Sequence, residues 1–142
     1  MVRCGLMKFY LAKTDPETYS IQDLARDRQT AWDGVRNPQA LRAIREMRPG
    51  DRVFIYHSMA SAAVVGLAKV ASEPRPDPRD DKLAVVDFEF MANLEPPTTL
   101  RDIKDSGLFA DWSLVRQSRL STMAAPQAFV DWMRTRYPKS KL

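Results

Sequence analysis

Trp32-Asp33-Gly34-Val35-Arg36-Asn37, followed by Pro38, is the stretch on which the reading of this chain turns. It has no apolar periodicity. Its Asp-Gly pair marks a turn, and glycine reaches the left-handed backbone such turns use. Asn37-Pro38 then opens a helix: Asn accepts from the first free N–H groups, and Pro is preorganised at the first helical position. Leu41, Ile44 and Met47 give that helix an apolar stripe, Arg42, Arg45 and Arg48 lie largely off it, and Pro49-Gly50 ends it.

Working outward, Lys8 to Ala12 predicts a short strand closed by Asp15-Pro16, and Ser20-Ile21-Gln22-Asp23 predicts a capped helix through Arg26. Residues 27–36 are read as aperiodic. Arg52 to Ser58 alternates as a strand, with Val53, Ile55 and His57 on one face and Phe54, Tyr56 and Ser58 on the other. Ala62 to Ala71 is a second strand, broken at Gly66 by a bend or bulge. The three prolines of Glu73 to Pro78 predict a loop.

Leu83 to Leu94 is the longest strand candidate, closed by Pro96-Pro97. Thr98 or Thr99 then caps a short helix over Leu100 to Lys104. Residues 107–118 give no clear pattern. Arg119 to Met123 reads as a strand, and Ala125-Pro126 opens a terminal helix carrying Phe129, Val130, Trp132 and Met133. The expected class is α+β: a small, mostly antiparallel sheet, rolled into a barrel, with short helices between strands.

The 142 residues fit one domain, and 44% hydrophobic with 28% charged is ordinary for a globular chain. No apolar run approaches the ~20 residues of a membrane span. Met1 to Met7 has no long apolar core, so a secretory signal is not expected, and Met1 or Met7 can be the start. One cysteine, Cys4, excludes an internal disulfide, suits a reducing compartment and points to the cytoplasm. The net charge of +4 is unevenly placed: residues 1–97 carry 14 Lys/Arg and 14 Asp/Glu, residues 98–142 carry 8 and 4. That basic third is either a solvated face or a docking surface for a polyanion.

No nucleophile–base triad, Walker sequence, dinucleotide fingerprint or nucleophile elbow is present. One histidine and one cysteine argue against a zinc site, Asp77, Asp80 and Asp81 lack calcium-loop spacing, and no cofactor is expected. What the chain offers is a large aromatic, short polar groups and fixed cations, a set that suits a planar polar ligand such as a nucleobase. Trp32 is a stacking surface or a packing residue. Asn37 caps its helix or presents an amide edge. Lys13 and Thr14 end a strand at a turn, where side chains reach a pocket mouth. His57 is a packing residue before it is a base, and Asp51 organises the turn into its strand. Arg116 and Arg119 clamp a phosphate or pair with Asp105 or Asp111.

These residues occur in an order that resembles the EVE domain, a member of the PUA-like superfamily that also holds the YTH and ASCH domains. The resemblance rests on Phe9 to Pro16, Trp32 to Asn37, Met47 to Asp51, Tyr56-His57-Ser58, Val65-Gly66 with Ala68 and Val70, and Arg119-Leu120-Ser121. It spans about residues 8–135, leaving 1–7 as an extension and 136–142 as a basic tail. It implies a PUA-like β-barrel with flanking helices and a pocket for modified bases. Lys13, Thr14, Trp32, Asn37, Tyr56, His57 and Ser58 match positions around that pocket, and Arg119 and Ser121 match the late motif. The chain departs from the family where a Tyr-Trp pair becomes Phe9-Tyr10, Lys-Ser-Glu-Pro becomes Lys13-Thr14-Asp15-Pro16, and Arg-Leu-Ser-Val becomes Arg119-Leu120-Ser121-Thr122. Tyr10 in place of Trp narrows or shares the stacking surface.

The expected function is non-catalytic binding of a modified base in DNA or RNA. The alternative is a regulatory pocket for a free nucleotide or other small molecule. An enzyme acting on a modified base lacks an acid–base pair. No membrane partner is expected, and oligomeric state is open.

Overall fold

A 20-residue strand organises the sheet. The computed structural model describes residues 7–59, 62–140 and 142, so Cys4, the first six residues and Lys141 lie outside the description. In chain order the elements are β1 (Phe9–Thr14), α1 (Ile21–Asp27), β2 (Gln29–Trp32), α2 (Pro38–Glu46), β3 (Arg52–His57), β4 (Ala63–Val70), β5 (Arg75–Asp77), β6 (Asp80–Thr99), α3 (Leu100–Asp105), α4 (Ser113–Arg116), β7 (Thr122–Ala124) and α5 (Gln127–Arg136). The seven strands run in the order β2-β6-β4-β3-β1-β7, with β5 paired to β6. Only β1 and β3 pair in parallel among the described residues; the other ladders are antiparallel.

The expectation of an α+β chain with a mostly antiparallel sheet is met. The closed barrel is not: the sheet path ends at β2 on one side and β7 on the other, and no ladder joins them. These end strands are four and three residues long, and a cavity lies between them.

The local signals behave as their chemistry requires. Ser20 accepts from the Asp23 N–H while Asp23 accepts from the Ser20 N–H, a capping box that starts α1. Asn37 Oδ1 accepts from the N–H groups of Gln39 (2.8 Å) and Ala40 (3.1 Å), starting α2. Leu41, Ile44 and Met47 are buried, and Arg42, Arg45 and Arg48 are exposed. Buried Asp51 accepts from the N–H groups of Lys8 and Arg48, holding the turn into β3. At Gly66 the β4 register shifts, and an added Cβ would lie 2.6 Å from Ile21 Cγ1 and 3.1 Å from the Ala92 carbonyl oxygen. The bulge read from the sequence is therefore also a site of close α1 approach.

Four expectations are corrected. Residues 29–32 form β2, a strand too short to show a period. The proline loop contains β5, an edge strand where Pro76 is tolerated because no N–H is needed on its free side. Pro96-Pro97 does not end β6: the prolines fall in the irregular gap between the Gly66–Asn93 and Val64–Thr98 pairs, where a missing N–H breaks no ladder bond. Arg119 sits in a turn before β7 rather than on a strand, and the unassigned stretch 107–118 holds α4. Strand β3 is also more enclosed than its alternation predicts. Val53, Phe54, Ile55 and Tyr56 are all buried, because β3 is central and Phe54 packs edge-on against Phe129 of α5 at 5.2 Å.

Candidate functional site

The open end of the sheet creates a cavity of about 580 Å³ between β2 and the ends of β1 and β7. Lys13, Thr14 and Ser121 line one side; Trp32 and the turn that follows it line the other. Gly34, at φ +77°, turns the chain there in a left-handed conformation that a side chain would strain. Asp33 Oδ2 accepts from Arg79 Nη2 at 2.9 Å, and Arg79 also binds buried Asp77, whose carboxyl is held below its usual range by that guanidinium. The turn is thereby tied to the β5–β6 hairpin.

Trp32 is 8% exposed. One face lies tilted on Phe88, with ring centroids 4.9 Å apart, and Tyr19 meets it nearly edge-on at 6.3 Å. It is thus a wall of the cavity and part of the core at once, not a free-standing platform. Its indole N–H has no hydrogen-bond partner among the described residues. Nor is that nitrogen sealed from solvent, as Arg52 Nε and Thr122 Oγ1 are.

The opposite wall is fixed by backbone bonds. Lys13 N–H donates to the Ser121 carbonyl at 2.8 Å, and Ser58 N–H donates to the Thr14 carbonyl at 2.9 Å. Lys13 Nζ donates to the Ser118 carbonyl at 2.9 Å, and burial holds its ammonium below the ordinary lysine value. Thr14 Oγ1 donates to the Tyr19 carbonyl at 2.7 Å, which holds Tyr19 beside Trp32. Tyr19 itself was not singled out from the sequence. The signal for it was the Asp15-Pro16 turn, whose Asp15 carbonyl accepts from the Thr18 and Tyr19 N–H groups and returns the next aromatic to the end of β1. The Tyr19 hydroxyl donates to Asp27 Oδ2 at 2.9 Å, and burial raises its phenol above the ordinary value.

The other residues expected around one pocket divide. Tyr56 and Ser58 line a smaller cavity of about 200 Å³ that shares Lys13 with the first. His57 faces away, into a third cavity of about 710 Å³ beside Ile21, and its Nε2 accepts from the Ile21 N–H at 3.0 Å. Burial lowers its imidazole below the ordinary value, as an acceptor role requires. Asn37 lies past the Trp32 turn and spends its side-chain oxygen on capping α2. Arg119 is exposed and makes no ion pair among the described residues, whereas Arg116 pairs with Asp111 at 3.3 Å. Tyr10 is buried and lines a separate cavity with Phe9 and Ala124, so it does not share the Trp32 wall.

Among the described residues no three His, Cys, Asp or Glu side chains cluster as a metal site, and no helix is long and apolar enough to cross a membrane. The arrangement offers an indole wall with a free donor, an ammonium, hydroxyls and a mouth open to solvent.

The EVE domain pattern matches residues 8–135 of this sequence. The chain belongs to the EVE domain family. This EVE chain is 30% identical to mouse thymocyte nuclear protein 1, over 91% of its own length and 73% of that protein's. The solution structure of a Rhodopseudomonas palustris protein superposes with a TM-score of 0.84 at 33% identity, covering 89% of this chain and 90% of the other. The crystal structure of human THYN1 in complex with DNA containing 5-methylcytosine has a TM-score of 0.84 at 25% identity, covering 94% of this chain and 99% of that one. The family resemblance drawn from the ordered motifs is therefore borne out.

Proposed function

We propose that this EVE chain binds a modified nucleobase in DNA or RNA in the Trp32 cavity and does not transform it. One observation carries the reading: a nine-tenths buried tryptophan lines an open cavity with its indole N–H unspent. Buried tryptophans ordinarily place that donor on a protein acceptor. A base offers a flat face for the indole wall and ring nitrogens and carbonyls at its edge for the donor. The likeness to a human protein solved with 5-methylcytosine DNA supports nucleic acid as the ligand class.

Lys13, Thr14 and Ser121 serve this cavity directly. Tyr56, Ser58 and Arg119 serve its surroundings. Asn37 and His57 act through the fold, by starting α2 and α1. The lone histidine accepts from a backbone N–H, and the two carboxylates that line the cavity are engaged, Asp15 with the Glu17 N–H and Asp33 with Arg79, which supports binding without transformation. Stacking supplies about 1–3 kcal/mol per base, so phosphate contacts on the basic third must add the rest. A duplex target must also release its base, at a cost of a few kcal/mol. A reducing cytoplasm suits a chain with one cysteine.

The test is a fluorescence anisotropy titration at fixed salt. Matched single- and double-stranded oligonucleotides, with and without 5-methylcytosine, are compared, with the free nucleotide as competitor. Tighter binding of a modified oligonucleotide, with no change in its mass after incubation, is expected. Equal affinity for modified and unmodified strands overturns the reading, and full competition by the mononucleotide alone moves it to a small-molecule pocket.

A further inference from the structure

Lys13 separates two cavities, and the second has its own unspent polar group. Tyr56 is 3% exposed and lines the smaller cavity, yet its hydroxyl has no hydrogen-bond partner among the described residues and is not sealed from solvent. The β1–β3 register places Lys13 beside Tyr56, and the ammonium lies 5.6 Å from the Tyr56 ring centroid. Lys104, one helical turn after Leu100 on α3, lines the same cavity, is exposed and makes no ion pair among the described residues. No carboxylate lines it. Arg119, equally unpaired, follows Ser118 at its edge.

The geometry points to this slot as a phosphate subsite, which holds the phosphodiester next to a base seated in the Trp32 cavity. It rests on the base-binding reading and extends it from a nucleobase to a nucleotide within a strand. Two ammonium groups and a phenol donor, with no competing acid, match the oxygens of a phosphodiester. The Lys13 ammonium serves both cavities: one proton is spent on the Ser118 carbonyl, and two remain. The ligand class is a base joined to a backbone, and a free nucleoside would leave this slot unused.

The experiment uses the full chain and a 5-methylcytosine oligonucleotide in which the phosphate on one or the other side of the modified nucleotide is replaced by an uncharged methylphosphonate. Neutralising one of the two should weaken wild-type binding about tenfold. Tyr56→Phe and Lys104→Ala should each weaken the native oligonucleotide several-fold. Lys104→Ala should lose most of the sensitivity to the methylphosphonate. Tyr56→Phe should melt as wild type does, because no protein group loses a bond.

Wild-type protein that binds the modified strand and ignores both methylphosphonates removes the subsite and leaves the base reading standing. Phosphate sensitivity that persists without discrimination between modified and unmodified strands removes the base reading and keeps the slot. Additive effects of Lys104→Ala and the methylphosphonate place the contact elsewhere and overturn the proposal. No binding by any oligonucleotide removes both readings.

Discussion

Trp32 and Trp112 are almost equally buried, at 8% and 9% exposure, and they do different things. Trp112 sits at the start of α4 with its ring against Phe129, centroids 4.5 Å apart, and its Nε1 donates to the Ala124 carbonyl of β7 at 2.9 Å. Its donor is spent holding the chain before α4 to the sheet. Trp32 has comparable aromatic company in Phe88 and Tyr19, but it lines a cavity and its donor has no partner among the described residues. Burial alone therefore does not separate the two tryptophans. The accounting of polar atoms does, because the Trp112 donor is satisfied by a backbone carbonyl while the Trp32 donor is left for whatever enters the cavity, water or ligand.

The harshest way to break the comparison is to truncate both rings. Trp112→Ala and Trp32→Ala should each cost about 3–5 kcal/mol of stability, since both fill core volume. Urea unfolding reads that loss, and binding by the remaining folded protein separates the pair. Trp112→Ala should keep wild-type affinity, and Trp32→Ala should lose about 5- to 150-fold. Equal affinities for the two variants would make Trp32 a packing residue like Trp112.

Phenylalanine sharpens the contrast because it keeps most of the ring and deletes the N–H. Trp112→Phe takes a partner from the Ala124 carbonyl and should lose about 1 kcal/mol more stability than Trp32→Phe. The affinities should fall in the opposite order, with Trp32→Phe weakened several-fold and Trp112→Phe unchanged. Stability losses of the same size would mean that the Trp32 donor has a partner in solution.

The same accounting shows what the sequence made legible. Elements started by their own side chains could be read: Ser20 for α1, Asn37-Pro38 for α2 and Thr99 for α3 all cap as their chemistry suggests. Elements created by a distant partner could not. Gln29 to Trp32 becomes a strand only because β6 lies beside it, and β6 runs through Pro96-Pro97 only because its register with β4 slips there. The candidate site divides in the same way. Lys13, Thr14, Trp32 and Ser121 converge across the open end of the sheet. The Tyr56-His57-Ser58 motif was read as one set, but a strand sends alternate side chains to opposite faces, so His57 leaves its neighbours for another cavity.

His57 is the polar atom account in its simplest form, and pH tests it. Burial holds its imidazole below the ordinary 6.5, and Nε2 must stay unprotonated to accept from the Ile21 N–H. Above pH 6.5 the ring is neutral in both folded and unfolded chains, so its contribution is complete. Below 6.5 the unfolded chain takes up the proton first, and stability falls as the pH drops through the lower folded value. Thermal melts from pH 7.5 to 5 should show a modest decline. His57→Gln, whose side-chain carbonyl can accept the same bond without titrating, should flatten it. Asp23 and Asp102, whose carboxyls are held low by hydrogen bonds at their helix starts, act only further down, below their ordinary 3.8. A decline of equal steepness in His57→Gln would assign the acid sensitivity to other groups.

Arg119 carries the comparison out to the rim and predicts the smallest effect. Arg116, three residues before it, spends its guanidinium on Asp111, while Arg119 is exposed and unpaired among the described residues. An unpaired surface cation contributes little to the fold, so Arg119→Ala should melt within about 0.5 kcal/mol of wild type. If it meets a phosphate, the variant should bind all oligonucleotides a few-fold more weakly. Its log–log slope of affinity against salt should be shallower by about 1, with discrimination for the modified base intact. Arg116→Ala is the matched control, because its charge is already partly neutralised by Asp111, and it should change the slope less. A reduced affinity with an unchanged slope would place Arg119 on the base rather than the backbone. Equal slope changes for the two arginines would mean that pairing does not decide which cations on this surface meet the strand.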